Sequence, residues 1–118
     1  MVQHILCSVF FLFLHTTLAE CKSGYGLVTE HEIKMLKVLQ RAKKEVPLDI
    51  VMNLLAAHSV PQGYTAEEAT EMIVKEMIPA VIALKEKGEL DVELIDISFR
   101  FISLFLNPTL SARRISTM

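Results

Sequence analysis

Residues 88–108, GELDVELIDISFRFISLFLNP, restrict the fold more than any other stretch of this 118-residue chain. The segment begins like a soluble helix and turns almost wholly apolar. It is too short to cross a bilayer, which needs about 20 apolar residues, and it carries Glu93, Asp96 and Arg100. Read as a helix capped by Asp91 and ended at Asn107-Pro108, it gathers Glu93, Asp96, Arg100 and Ser103 in one narrow stripe. Leu94, Ile95, Phe101, Ile102 and Phe105 lie opposite, and Ile97, Phe99, Leu104 and Leu106 flank the stripe. Burying one large apolar side chain is worth about 1.5–3 kcal/mol, so a face like this requires cover. Neighbouring helices, a second subunit or a ligand would each supply it.

The preceding chain also reads as helical. Thr29 and Glu32 have capping-box spacing, and Ile33, Leu36, Leu39, Ala42 and Val46 recur at helical intervals. Pro47 ends that helix and opens a short buried one, PLDIVMNLLAAH, with Leu48, Val51, Met52, Leu55 and Ala56 on one side. SVPQGY is a loop, and Thr65 with Glu68 makes a second capping box. The helix from Ala66 turns Ala69, Met72, Ile73 and Met77 inward, is split by Pro79 after Met77, and closes at Gly88. No stretch reads as a strand. The expected fold is an all-α single bundle of four to five helices around a core or an apolar cavity.

The amino-terminal residues suggest a leader. Ile5–Leu14 is a short apolar run, and Thr17-Leu18-Ala19 suits cleavage. The expected organisation is a signal peptide over 1–19, a flexible arm over 20–28, a helical domain over 29–107 and a mobile tail over 108–118. Cys21 would then be the lone cysteine of a secreted, extracellular chain, free or in an intermolecular bridge that makes a homodimer. The formal net charge of −2 makes a nucleic-acid partner a poor expectation, and no stable membrane anchor is expected.

Chemistry-bearing motifs are sparse. His31-Glu32 begins the zinc-protease pattern H-E-x-x-H, but Met35 stands at the second histidine. His58 reads as an imidazole near a helix end, and two distant histidines with Cys21 make no metal set. Ser98 bonds back along its helix or offers a hydroxyl to a head group. The expectation is a protein that is not an enzyme and needs no cofactor.

MIPAVIALKEKGELDVELIDISFRFISLFLNP resembles the closing part of the insect allergen-related repeat, the unit of cockroach midgut allergens and mosquito midgut microvillar proteins. The matching pieces are Ile78-Pro79, Val81–Leu84, Glu86–Glu89, Leu90-Asp91-Val92, Leu94–Leu106 and Pro108, with Val46-Pro47-Leu48-Asp49 earlier. HSVPQGYTAEEAT stands where the family has two phenylalanine-bearing pieces. The resemblance implies a secreted helical capsule that carries lipids.

The expected function is therefore a carrier of a lipid or other hydrophobic small molecule. Its lining would be Ile33, Leu36, Leu39, Met52, Leu55, Ile73, Met77, Val81, Leu84, Leu94, Phe101, Ile102 and Phe105. The alternatives are a secretoglobin-like or venom-type interaction protein dimerised through Cys21, a membrane-acting effector, and a family member without ligand function.

Overall fold

Asp49–Ala57, DIVMNLLAA, is the central strand of a three-stranded parallel sheet and not a helix. The structure, a computed structural model, describes residues 14–98. In chain order the elements are β1 (Leu18–Lys22), α1 (Thr29–Glu45), β2 (Asp49–Ala57), α2 (Ala66–Met72), a π-helical turn (Ile73–Met77), α3 (Ile78–Glu86) and β3 (Val92–Ile97). The strands lie in the order β1-β2-β3. β1 pairs with β2 from Leu18↔Asp49 to Lys22↔Asn53. β2 pairs with β3 from Met52↔Val92 to Ala57↔Ile97, with shifts between Met52 and Asn53 and between Leu54 and Ala57.

This βαβαβ arrangement replaces the expected all-α bundle. The physical reason lies in β2. The central strand of a parallel sheet is covered on both faces, so it reads as a nearly continuous apolar run rather than an alternating one. A run of this length also satisfies a helical template, and periodicity alone does not separate the two. Ile50, Met52, Leu54 and Ala56 alternate onto one face of the sheet. They join one buried cluster with Leu36 of α1, Ala69 of α2, Ile73 and Met77 of the π turn, and Val81 of α3.

The helical stretches keep most of the expected boundaries. Thr65 and Glu68 form the reciprocal box: Glu68 N donates to Thr65 Oγ1 at 3.2 Å, and Thr65 N donates to Glu68 Oε2 at 2.9 Å. The break near Pro79 takes the form of the π turn. Ile78 N bonds Ile73 O, five residues back, so the ladder widens just ahead of a ring that cannot tolerate a carbonyl four residues before it. Gly88 adopts φ +74° and donates to Lys85 O at 2.9 Å, closing α3.

Asp91 does not cap a last helix. Its N–H donates to Gln40 Oε1 at 2.7 Å, and its carboxylate meets Lys43 Nζ at 2.8 Å. Lys43 also pairs with Glu93. These bonds tie the entry of β3 to the last turns of α1. Hydrogen bonding to Lys43 holds the Asp91 carboxyl below the usual carboxylate range. Arg100, which the helical reading puts in one stripe with Asp96, lies outside the described residues with the rest of 99–118. Among the described residues, no helix is long and apolar enough to cross a membrane.

Candidate functional site at the carboxyl edge of the sheet

All three strands run the same way, so the loops after β1, β2 and β3 gather at one edge. In open parallel sheets this carboxyl edge is where ligands bind, because the strand ends and turns leave a crevice there. Tyr25 follows β1, His58 follows β2 and Ser98 follows β3. The rings of Tyr25 and His58 lie 5.1 Å apart between centroids and are tilted by 56°. Tyr25 is 80% exposed, so little packing holds its ring apart from this contact.

The backbone around Tyr25 is tightly specified. Ser23 is buried; its N–H bonds Asn53 O at 3.0 Å, and its Oγ accepts from Leu55 N at 3.3 Å. Gly24 has φ +115°, and a Cβ there would lie 3.0 Å from the Leu55 side chain. Gly26 packs against the start of α1, where a Cβ would come within 2.7 Å of Glu32 N and His31 C. Leu27 sits at φ 64°, a left-handed conformation unusual for a side chain of its size. Glu32, fully buried, accepts from Gly24 N through Oε2 and from Leu27 N through Oε1, both at 2.8 Å. Glu32 is therefore not the partner of a Thr29 cap. α1 begins after Val28, and among the described residues no side chain caps it.

A second polar group lies on the sheet face opposite Ile50, Met52 and Leu54. Lys22 and Asn53 are register partners, and Glu20 shares their face by alternation. Asn53 Nδ2 donates to Glu20 Oε1. Lys22 Nζ lies 2.7 Å from Asp96 Oδ2 and 3.6 Å from Glu20 Oε1. The bond to Lys22 draws the Asp96 carboxyl below its ordinary range, helped by the N–H of Ile97. The same bond raises Lys22. Asn53 is 3% exposed, and its Oδ1 has no hydrogen-bond partner among the described residues.

Cys21, beside Met52 in the register, is half-buried against the core. Burial pushes its thiol up, and the Glu20 charge adds to this. That disfavours the thiolate a nucleophile or a bridging cysteine would use. Among the described residues, no three His, Cys, Asp or Glu side chains are grouped to hold a metal ion.

The expected cavity lining is distributed differently. Leu36, Met52, Ile73, Met77 and Val81 are buried in the helix–sheet core, with Ile33, Leu39 and Leu84 packed against it. Leu55 lies beneath Gly24, and Leu94 of β3 is 45% exposed. Phe101, Ile102 and Phe105 fall outside the described residues. The residues assigned to a lining are thus mostly the ordinary interior of an α/β layer. A groove of about 270 Å³ lies on the surface, between α1 and the end of β1. Lys22, Lys34, Met35, Val38 and Leu39 line it, so Leu39 is the one expected lining residue that it shares.

No family model matches the chain. Over 82 residues, 70% of its length, it is 54% identical to a probable imidazolonepropionase of Nematostella vectensis. Over the same length it is 48% identical to the human probable imidazolonepropionase. Over 83 residues it is 49% identical to that of Dictyostelium discoideum. The chain spans about a fifth of the length of these curated relatives.

These similarities overturn the resemblance to the insect allergen-related repeat, and with it the midgut lipid carrier. The parallel sheet independently removes the all-helical capsule on which that carrier depended. The expectation of a protein that is not an enzyme falls with them, since the relatives are named as enzymes.

Tyr25, Glu32 and His58 escaped the sequence reading as a group. Local spacing puts Tyr25 on a flexible arm, Glu32 in a cap and His58 at a helix end. The available signal was the Gly-Tyr-Gly step just before a helix, a spacing that suits a tight strand-to-helix turn.

Proposed function

We propose that this chain carries one ligand-facing edge of an imidazolonepropionase-type enzyme and meets imidazolonepropionate through Tyr25 and His58. The observation that carries this reading is the 54% identity over 82 residues to a relative bearing that name. The geometry supports it. Two polar rings meet at the carboxyl edge of a parallel sheet, and one of them is held out from the surface. A tyrosine hydroxyl donates and accepts, and a neutral imidazole offers one donor and one acceptor. Together they suit a planar, polar heterocycle. Imidazole is also the commonest group for moving a proton in a reaction.

The test is a titration of the full 118-residue chain with imidazolonepropionate, followed by NMR of the His58 and Tyr25 ring protons. The ring signals are expected to move saturably, and the response to vanish in both Tyr25→Leu and His58→Ala. Ring signals that stay still at high ligand concentration would overturn the reading.

A further inference from the structure

We propose that Glu32 is the positioning residue of this edge: its carboxylate sets the loop between β1 and α1 and thereby holds the ring of Tyr25 against that of His58. The inference rests on the reading of Tyr25 and His58 as ligand-facing.

Three observations converge on Glu32. Its side chain is fully buried, although it begins on the first turn of a helix. With Val28 as the cap, Glu32 stands one residue beyond the position from which a glutamate reaches back to the cap amide. Here the two carboxylate oxygens reach past the cap to Gly24 N and Leu27 N. Those amides bracket Tyr25 and Gly26. The carboxylate therefore ties down both ends of the one segment that displays an exposed aromatic ring.

The bracketed segment also needs such a tie. Leu27 holds a positive φ that an L side chain rarely adopts, and such a conformation persists only where its surroundings over-determine it. Gly26 lies so close to the start of α1 that no side chain fits between. The two bonds share one carboxylate, one to each oxygen, and the bond from Gly24 N is buried. Tyr25 is too exposed to hold its own place by packing. What fixes the 5.1 Å approach of its ring to His58 is the backbone beneath it, and Glu32 fixes that backbone.

NMR on the full chain tests this without ligand. In the wild type, the Gly24 and Leu27 amides are expected to exchange with solvent about tenfold or more slower than free loop amides. Glu32→Gln keeps the size of the side chain but replaces one acceptor oxygen with an amide nitrogen that cannot accept. In that variant the His58 ring-proton shifts are expected to move to the values seen in Tyr25→Leu, while the β2 amide signals stay in place. A merely structural role would not produce that coincidence of shifts. Wild-type His58 shifts in Glu32→Gln, with Tyr25→Leu displaced, would overturn the proposal.

If Glu32→Gln does not fold, wild-type exchange decides. Gly24 and Leu27 amides that exchange at the loop rate sink the proposal, and slow exchange with a Tyr25–His58 ring contact supports it. None of these readouts needs imidazolonepropionate. A tight clamp with no ligand response counts against the ligand reading alone, and a loose clamp counts against Glu32 alone.

Discussion

Lys22 Nζ lies 2.7 Å from Asp96 Oδ2, so a side-chain bond joins β1 to β3 although β2 separates them. The pair is the outermost element of a polar face that includes Glu20 and Asn53. It closes across the strand whose opposite face carries the core.

The Lys22–Asp96 bond predicts a pH-dependent stability. The Asp96 carboxyl is depressed in the folded chain by the Lys22 ammonium and the Ile97 N–H. Its contribution is therefore present above the ordinary carboxylate value and is lost as pH falls through the folded value. Urea unfolding of wild type and Asp96→Asn should differ slightly at neutral pH, with the variant weaker. The two midpoints should converge in acid. A gap that persists or widens there would contradict the assignment. Because both side chains are more than a third exposed, added salt should narrow the gap at neutral pH.

Met52 and Leu94 separate a packed α/β interior from a ligand lining. Met52 is fully buried in the helix–sheet cluster, and Leu94 is 45% exposed on β3. Met52→Ala should destabilise the fold by about 2–5 kcal/mol, as large-to-small core changes do. Leu94→Ala should cost much less. Chemical denaturation of both variants measures the contrast, and similar losses would refute it.

Gly26 and Gly63 should respond to alanine for different reasons. Gly63 stands at φ +86° in open space, so Gly63→Ala costs only the left-handed backbone, about 1 kcal/mol. At Gly26 the new Cβ would lie 2.7 Å from backbone atoms of α1, which cannot yield as a flexible side chain can. Gly26→Ala should therefore lower the thermal midpoint more than Gly63→Ala, and it should also shift the Tyr25 ring signals. An equal loss of stability at the two sites would remove the close contact as an explanation.

The reciprocal box at Thr65 and Glu68 gives a local control. Thr65→Ala removes the acceptor for Glu68 N and should destabilise by about 1 kcal/mol. A double-mutant cycle with Glu68→Ala should show the two losses to be less than additive, since each bond helps hold the other in place. Full additivity would mean that the box contributes nothing as a unit.

The legible parts of this fold were those governed by neighbouring residues. Thr65 with Glu68, Pro79 with the turn before it, and Gly88 at the end of α3 all act within a few positions of themselves. Their spacing appears directly in the chain. The middle and the end misled for one shared reason. DIVMNLLAA and VELIDI carry enough apolar residues to fit a helical face, and what makes them strands is pairing with segments far away in sequence. The same partners reassigned charges. Asp91 meets Lys43, and Asp96 meets Lys22, across separations that no helical spacing can anticipate.

The candidate site was hidden in the same way. Tyr25 and His58 stand thirty-three positions apart (58 minus 25), and only parallel strands β1 and β2 bring their rings together. Local sequence determined where α2 begins and where α3 begins and ends, because caps, prolines and glycines act on the backbone beside them. Tertiary structure alone decided which apolar runs became strands and which side of the sheet collected the tyrosine, the histidine and the buried glutamate. Those outcomes depend on long-range hydrogen-bonded pairing and shared burial, which hydrophobic periodicity within one segment does not encode.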